Sequence, residues 1–240
     1  MSTTFTAGVI SFPGSNGDHD ALSALERDLG VEVRKVDYRE TDLDGFDAIV
    51  LPGGFSYGDA LRCGAIARFS PVMEPLREFA DAGLPVLGIC NGFQILCEAH
   101  LLPGALLRNR TLKFHCHWTH IRVESDRSPW TAELEIGDVL CLPVAHGEGA
   151  YFASSDLVSE LEERGQIIAR YCESDGAVTQ AANANGSVGN IAAVSNEAGN
   201  VVGLMPHPER ATNDLVGGTD GLRLLRGVLA RRGVAGASAD

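Results

Sequence analysis

The sequence has no apolar run approaching the ~20 residues that a membrane helix needs, so no membrane span is expected. Its start, Met1-Ser2-Thr3-Thr4-Phe5, lacks a basic stretch followed by an apolar one. No secretory signal is therefore expected, and a cytoplasmic location is. There is no Cys-x-x-Cys pair among the six cysteines, Cys63, Cys90, Cys97, Cys116, Cys141 and Cys172. Reduced, mostly buried thiols are the expectation. Basic residues are scarce: 19 Lys and Arg stand against 32 Asp and Glu, a net charge of −13. Nucleic acid is thereby disfavoured as a partner, because its phosphates would be repelled. No internal repeat and no interdomain linker interrupt residues 1–240, which read as a single domain with a frayed tail from Gly233 to Asp240.

What is present is an alternation of apolar runs with helical patterns. Strands are predicted at Thr6–Ser11, Val31–Tyr38, Asp47–Leu51 and Pro85–Ile89. Helices are predicted at about His19–Leu29 with Asp18 as N-cap, at Val72–Ala82, and from the end of the fourth strand to about His100. This order predicts an α/β fold: three layers, with a mostly parallel central sheet between helices. After Leu102 the pattern changes. Short alternating runs at Lys113–Val123 and Val139–Ala145, and a run at Gln166–Tyr171, predict a smaller antiparallel region. Residues 176–190 read as a loop, Ile191–Ser195 and Val201–Met205 as an antiparallel pair, and Thr219–Arg231 as a closing helix.

Ligands on such sheets bind at the carboxyl ends of the strands. Two such ends carry unusual residues. Gly53-Gly54 follows the third strand, and Gly88-Ile89-Cys90-Asn91-Gly92 follows the fourth. The second is the strand–sharp turn–helix layout of a nucleophile elbow, with cysteine as the nucleophile. A thiol needs an adjacent imidazole oriented by a third group. His19 and His100 lie at helix ends, and His115, His117 and His120 lie on one strand. His115-Cys116-His117 does not suggest a metal site, because alternate strand residues face opposite ways. His207 stands between two prolines after an apolar strand, and Glu209 is two residues on. In an extended segment both side chains leave on one side, so Glu209 is able to orient His207.

Gly88-Ile89-Cys90-Asn91-Gly92-Phe93-Gln94 with Pro206-His207-Pro208-Glu209 downstream resembles the class I, triad-type glutamine amidotransferases, whose flavodoxin-like architecture matches the predicted one. Leu51–Asp59, Pro143–Gly149 and Met205–Arg210 are similar to segments of the family of glutaminase subunits that serve phosphoribosylformylglycinamidine synthase. In that family Cys often follows Ser-Asn in the first loop, where this chain has Gly17, and an aromatic often follows Gly-Asp in the loop after the third strand, where it has Ala60. The resemblance implies hydrolysis of L-glutamine to L-glutamate and ammonia by Cys90, His207 and Glu209. It implies an oxyanion hole from the backbone N–H groups of Gly53, Gly54 and Asn91, and substrate contacts from Gln94, His146 and Glu148. It also implies two partners, the large synthetase subunit of phosphoribosylformylglycinamidine synthase and a small third subunit, in purine biosynthesis. No Gly-x-x-x-x-Gly-Lys-Ser/Thr loop occurs here, so ATP and Mg are expected on the synthetase and no cofactor or metal on this chain. The residues themselves leave open another cysteine hydrolase, a different class I amidotransferase subunit, or a non-catalytic module on the same fold.

Overall fold

The computed structural model describes residues 4–235, and the side chains of residues 4–230. Strands β1 (Thr6–Ser11), β3 (Ala48–Leu51) and β4 (Val86–Ile89) are apolar almost throughout and buried on both faces. Such runs are stable only inside a sheet covered on both sides. The other strands are β2 (Glu32–Asp37), β5 (Ala105–Leu107), β6 (His115–Val123), β7 (Val139–His146), β8 (Ala150–Phe152), β9 (Ile167–Cys172), β10 (Ile191–Ser195) and β11 (Val201–Leu204). The α-helices are α1 (Asp18–Ser23), α2 (Met73–Asp81), α3 (Asn91–Glu98), α4 (Ser155–Glu163) and α5 (Asp220–Ala235).

Nine strands form one sheet in the order β2-β1-β3-β4-β11-β10-β9-β6-β7, and β5 pairs with β8 beside it. The pairs β1·β2, β1·β3, β3·β4 and β4·β11 are parallel. From β11 outward every pair is antiparallel. Only β10 and β6 in this sheet therefore run against the rest, and β7 points the same way as β4. The predicted α/β architecture is the observed one, and its antiparallel region continues the main sheet. Pairing of β11 with β4 places Leu204 opposite Ile89, so the segments leaving both strands start side by side.

The sheet curls, which brings its far strand back to its middle. His207 N–H, just past β11, donates to Pro143 O in β7 at 2.8 Å. The Asp220 carboxylate at the start of α5 accepts from Cys141 N–H at 2.8 Å, covering backbone that an edge strand would leave open. Trp130 is fully buried and its indole N–H reaches Val86 O at 3.2 Å, joining the 129–131 turn to β4. Truncating a side chain of that size in a core costs about 3–5 kcal/mol.

The structure departs from expectation at several places. Asp18 is the first residue of α1 and not its N-cap. Its carboxylate is held by Ser11 Oγ at 3.0 Å and Lys35 Nζ at 2.8 Å, and so has left the helix end. The helix then widens into a π turn over Ala24–Asp28. α4, β5 and β8 have no counterpart among the predicted elements. The tail expected from Gly233 is helical through Ala235, since one glycine is tolerated in a helix at about 1 kcal/mol; residues 236–240 lie outside the described residues. All six cysteines are free; three are buried, while Cys116 is exposed. No described helix is long and apolar enough to cross a membrane.

Candidate active site

The carboxyl ends of β3, β4, β11 and β7 meet at one point because those strands share a direction and the sheet curls. Each contributes one part. β4 delivers Cys90, which is buried and has φ 51° and ψ −103°, a backbone region unfavourable to any residue with a Cβ. The turn is that sharp because α3 starts immediately and packs close under β3. A Cβ at Gly92 would lie 2.0 Å from Leu51 O, so only glycine fits there.

β11 delivers His207 and Glu209. The two prolines hold the segment extended before a short turn at Pro208–Arg210. His207 Nδ1 and Glu209 Oε1 are 2.6 Å apart, and both side chains are almost completely buried. Burial alone would lower the His207 pKa, but the Glu209 carboxylate and the neighbouring Cys90 outweigh it and hold it above the ordinary imidazole value. The Cys90 thiol donates to Ala145 O at 3.7 Å. His207 Nε2 is buried with no hydrogen-bond partner.

β3 delivers the glycine loop. A Cβ at Gly53 would sit 2.7 Å from His207 Cε1 and 3.6 Å from Cys90 Cβ. The loop thus lies against both groups, at a distance a side chain would forbid. Gly53 O accepts from Gly17 N–H at 3.0 Å and from Asn16 N–H at 3.4 Å. Across a trans peptide the Gly54 N–H points the opposite way from that carbonyl.

β7 delivers residues 145–148. A cavity of about 190 Å³ opens over the sulfur, with Gly54, Cys90, Gln94, His146 and Glu148 in its lining. Asp59 and Cys63 also face it. Burial raises the Asp59 pKa, with Glu148 adding to the rise. Burial, then Glu148 and Asp59, push the Cys63 thiol far up, which favours its neutral form. A smaller cavity of about 110 Å³ adjoins Cys90 on the His207 side.

Of the site residues expected from the sequence, Gly54, Cys90, Gln94, His146, Glu148 and His207 line these cavities, while Gly53, Asn91 and Glu209 stand behind them against His207, Gln94 and His207 respectively. Asn91 Oδ1 accepts from Ser56 N–H at 3.1 Å, and Asn91 Nδ2 donates to Gln94 Oε1 at 2.9 Å. Gln94 Nε2 donates to Glu148 O at 2.6 Å. This chain of bonds ties the 55–59 loop, the elbow helix and the 146–149 turn together, a role for the Asn91 side chain that the spacing did not suggest. His146 is buried, and its pKa is lowered to about 3 by burial, then by His115, His207 and His117. Glu148 carries an ion pair with the exposed Arg108 at 3.4 Å. Arg62 is engaged with Glu98 at 2.5 Å and Arg210 with Asp20 at 2.8 Å. Among the described residues, no group of three or more His, Cys, Asp or Glu is arranged to hold a metal ion.

Residues 5–217 match the CobB/CobQ-like glutamine amidotransferase domain family. The phosphoribosylformylglycinamidine synthase subunit PurQ of Thermomicrobium roseum is 60% identical over 222 residues, covering 92% of this chain and 94% of that protein. The PurQ subunit of Rubrobacter xylanophilus is 56% identical over 223 residues, covering 93% and 97%. A chain in the structure of PurLQS from Thermotoga maritima superposes with a TM-score of 0.85 at 41% identity, covering 96% of this chain and 100% of that one. A second Thermotoga maritima glutamine amidotransferase, at 16% identity and TM-score 0.60 over 95% of this chain and 98% of that one, shares the fold.

Proposed function

Because this chain belongs to the CobB/CobQ-like glutamine amidotransferase family, with PurQ subunits among its relatives, we propose that Cys90, His207 and Glu209 hydrolyse L-glutamine and that the ammonia goes to a synthetase. The observation that carries this is the buried 2.6 Å His207–Glu209 contact beside a strained cysteine at the mouth of a cavity.

The carboxamide of glutamine enters the cavity over Cys90. His207 Nε2, which lacks a partner, takes the thiol proton, and Glu209 stabilises the imidazolium that results. The sulfur attacks the carboxamide carbon, and the C=O electron pair moves onto oxygen. The Gly54 N–H, turned away from the Asn16–Gly17 side, and the Asn91 N–H, at the positive end of α3, are aimed to bind that oxyanion, with Gly53 N–H beside them. Collapse breaks the C–N bond, and the imidazolium gives its proton to the leaving nitrogen, which departs as ammonia. Water then attacks the γ-glutamyl thioester, releasing glutamate and restoring the thiol. Gln94, His146 and Glu148 line the pocket that takes the rest of the substrate.

The relatives carry the name phosphoribosylformylglycinamidine synthase subunit PurQ, and one solved relative is part of an assembly called PurLQS. On that basis the ammonia acceptor is formylglycinamide ribonucleotide, converted to its amidine by a large subunit that binds ATP and Mg, with a small third subunit alongside. The same reading assigns the chain to the cytoplasm.

The test uses the chain assembled with its synthetase. Cys90→Ala is expected to abolish glutamine-dependent amidine synthesis while ammonia-dependent synthesis continues. Glutamine-dependent turnover surviving Cys90→Ala would refute the nucleophile. A synthetase that does not respond to this chain would refute the partner.

A further inference from the structure

Asn109 lies between β5 and β6, and none of the described residues is more completely buried. Its backbone N–H donates to Gly147 O at 2.9 Å. Its side-chain nitrogen donates to Lys113 O and to His146 O, each at 2.8 Å. Both amide hydrogens are spent on carbonyls, which fixes the orientation of the amide. The atom 3.0 Å from Gly149 N–H and 3.1 Å from His146 Nδ1 is therefore Oδ1, an acceptor. One residue thus anchors the 146–149 turn at His146 O, His146 Nδ1, Gly147 O and Gly149 N–H.

The same bonds set a tautomer. An acceptor facing Nδ1 requires that nitrogen to carry the imidazole hydrogen. Burial keeps the ring neutral, so its lone pair is on Nε2, which is buried and has no hydrogen-bond partner. The turn is also a wall of the reaction cavity. Ala145 O accepts from the Cys90 thiol, and Glu148 O accepts from Gln94. A glutamine molecule brings N–H donors at both ends, a carboxamide and an ammonium group. A wall of preset acceptors suits such a ligand.

We propose that Asn109 is a positioning residue for glutamine, holding the 146–149 turn and the Nδ1–H tautomer of His146 so that the cavity wall is formed before substrate arrives. This rests on the glutaminase reading above. It concerns the site's pre-organisation, since Asn109 itself does not reach the reacting atoms.

The experiment compares Asn109→Asp and Asn109→Ala with the unaltered chain, each assembled with the synthetase. Asn109→Asp keeps the shape and the acceptor but loses both donors. Loss of buried hydrogen bonds of this kind is expected to raise KM for glutamine by about 10- to 100-fold. Ammonia-dependent synthesis is expected to be unchanged. Labelling of Cys90 by a glutamine-mimicking chloroketone, followed on the Cys90 peptide, is expected to slow by a similar factor. Labelling of Cys90 by iodoacetamide, which does not use the glutamine pocket, is expected to continue. Nitrogen-15 NMR of the unaltered chain reads the tautomer without any variant, and decides the matter if the variants do not fold. His146 is expected to show a protonated Nδ1 and a bare Nε2 from about pH 8 to about pH 5. An unchanged KM, a parallel fall of glutamine- and ammonia-dependent rates, or an Nε2–H tautomer would overturn the proposal. If the unaltered complex does not hydrolyse glutamine, the functional reading fails instead, and the tautomer remains readable.

Discussion

Cys90→Gly is expected to inactivate the enzyme without the stability loss that a buried glycine normally brings. Cys90 is held at φ 51° and ψ −103°. Confining a residue with a Cβ to such a region costs about 1–3 kcal/mol. The reference is Cys90→Ala, which also lacks the sulfur and its contact with Ala145, so those losses cancel. Going from alanine to glycine adds about 0.5–1 kcal/mol of backbone entropy and gives up about 0.8 kcal/mol of methyl burial. At an unstrained buried position such as Ala7 in β1, paired in regular register on both sides, only these two losses operate, and Ala7→Gly is expected to cost about 1.5 kcal/mol. At position 90 the released strain, about 2 kcal/mol, offsets them and leaves the glycine variant level with or slightly above Cys90→Ala. The contrast between the two sites is that strain, roughly 4–8 °C in Tm for a chain of this size. Thermal melts of the isolated chain measure it, and no synthetase is needed. If glycine costs as much at position 90 as at position 7, the elbow is not strained and the reasoning is refuted.

Glu209→Gln removes the charge that steadies the His207 imidazolium, and glutamine-dependent kcat is expected to fall by about 10²–10⁴-fold with ammonia-dependent turnover intact, as steady-state rates on the complex will show. Gly92→Ala forces a Cβ to within 2.0 Å of Leu51 O. It is expected to cost about 3 kcal/mol or more, read as a lowered urea midpoint. His146 is neutral in the fold, with its pKa lowered from 6.5 to about 3. Its contribution to stability is whole above about pH 6.5 and is lost as pH falls toward about 3, because the unfolded chain takes up the proton first. Urea midpoints measured stepwise from about pH 7 to about pH 4 are expected to fall less in His146→Gln than in the unaltered chain.

The parallel half of the sheet is legible in the sequence because β1, β3 and β4 are apolar on both faces, and nothing but a buried strand suits such runs. Cys90, His207 and Glu209 are legible because the local chain fixes their directions: a strand-to-helix turn for the first, a proline-stiffened extended segment for the others. Elements that pack one side only are harder to see. α4 buries a single residue fully, Leu161, and its clearest mark is the Ser154 cap, 3.3 Å from Leu157 N–H. β5 and β8 are three residues each, too short for a period to show. Asp18 looks like a cap, and only the approach of Ser11 and Lys35 from neighbouring strands explains why it is not one. Asn109 is the extreme case. Its partners Gly147 and Gly149 are 38 and 40 residues away, brought near by the β5·β8 and β6·β7 pairings on either side, and no local pattern announces that.

The strand order also has a consequence for how the chain is made. β4 is flanked in the finished sheet by β3 and β11, but β11 is the last strand among the described residues. His207 is the 117th residue after Cys90, and a ribosome adds that many in roughly 6–23 s at its usual rate. During that interval Cys90 is synthesised but His207 is not, and β4 has an open edge where β11 will dock. A nascent chain therefore carries an apolar strand with one open edge through nearly half of its synthesis, and that edge is where a chaperone would have to act. Arrival of β11 closes the edge and brings His207 to the sulfur in the same event, so the two side chains meet only as the sheet is completed.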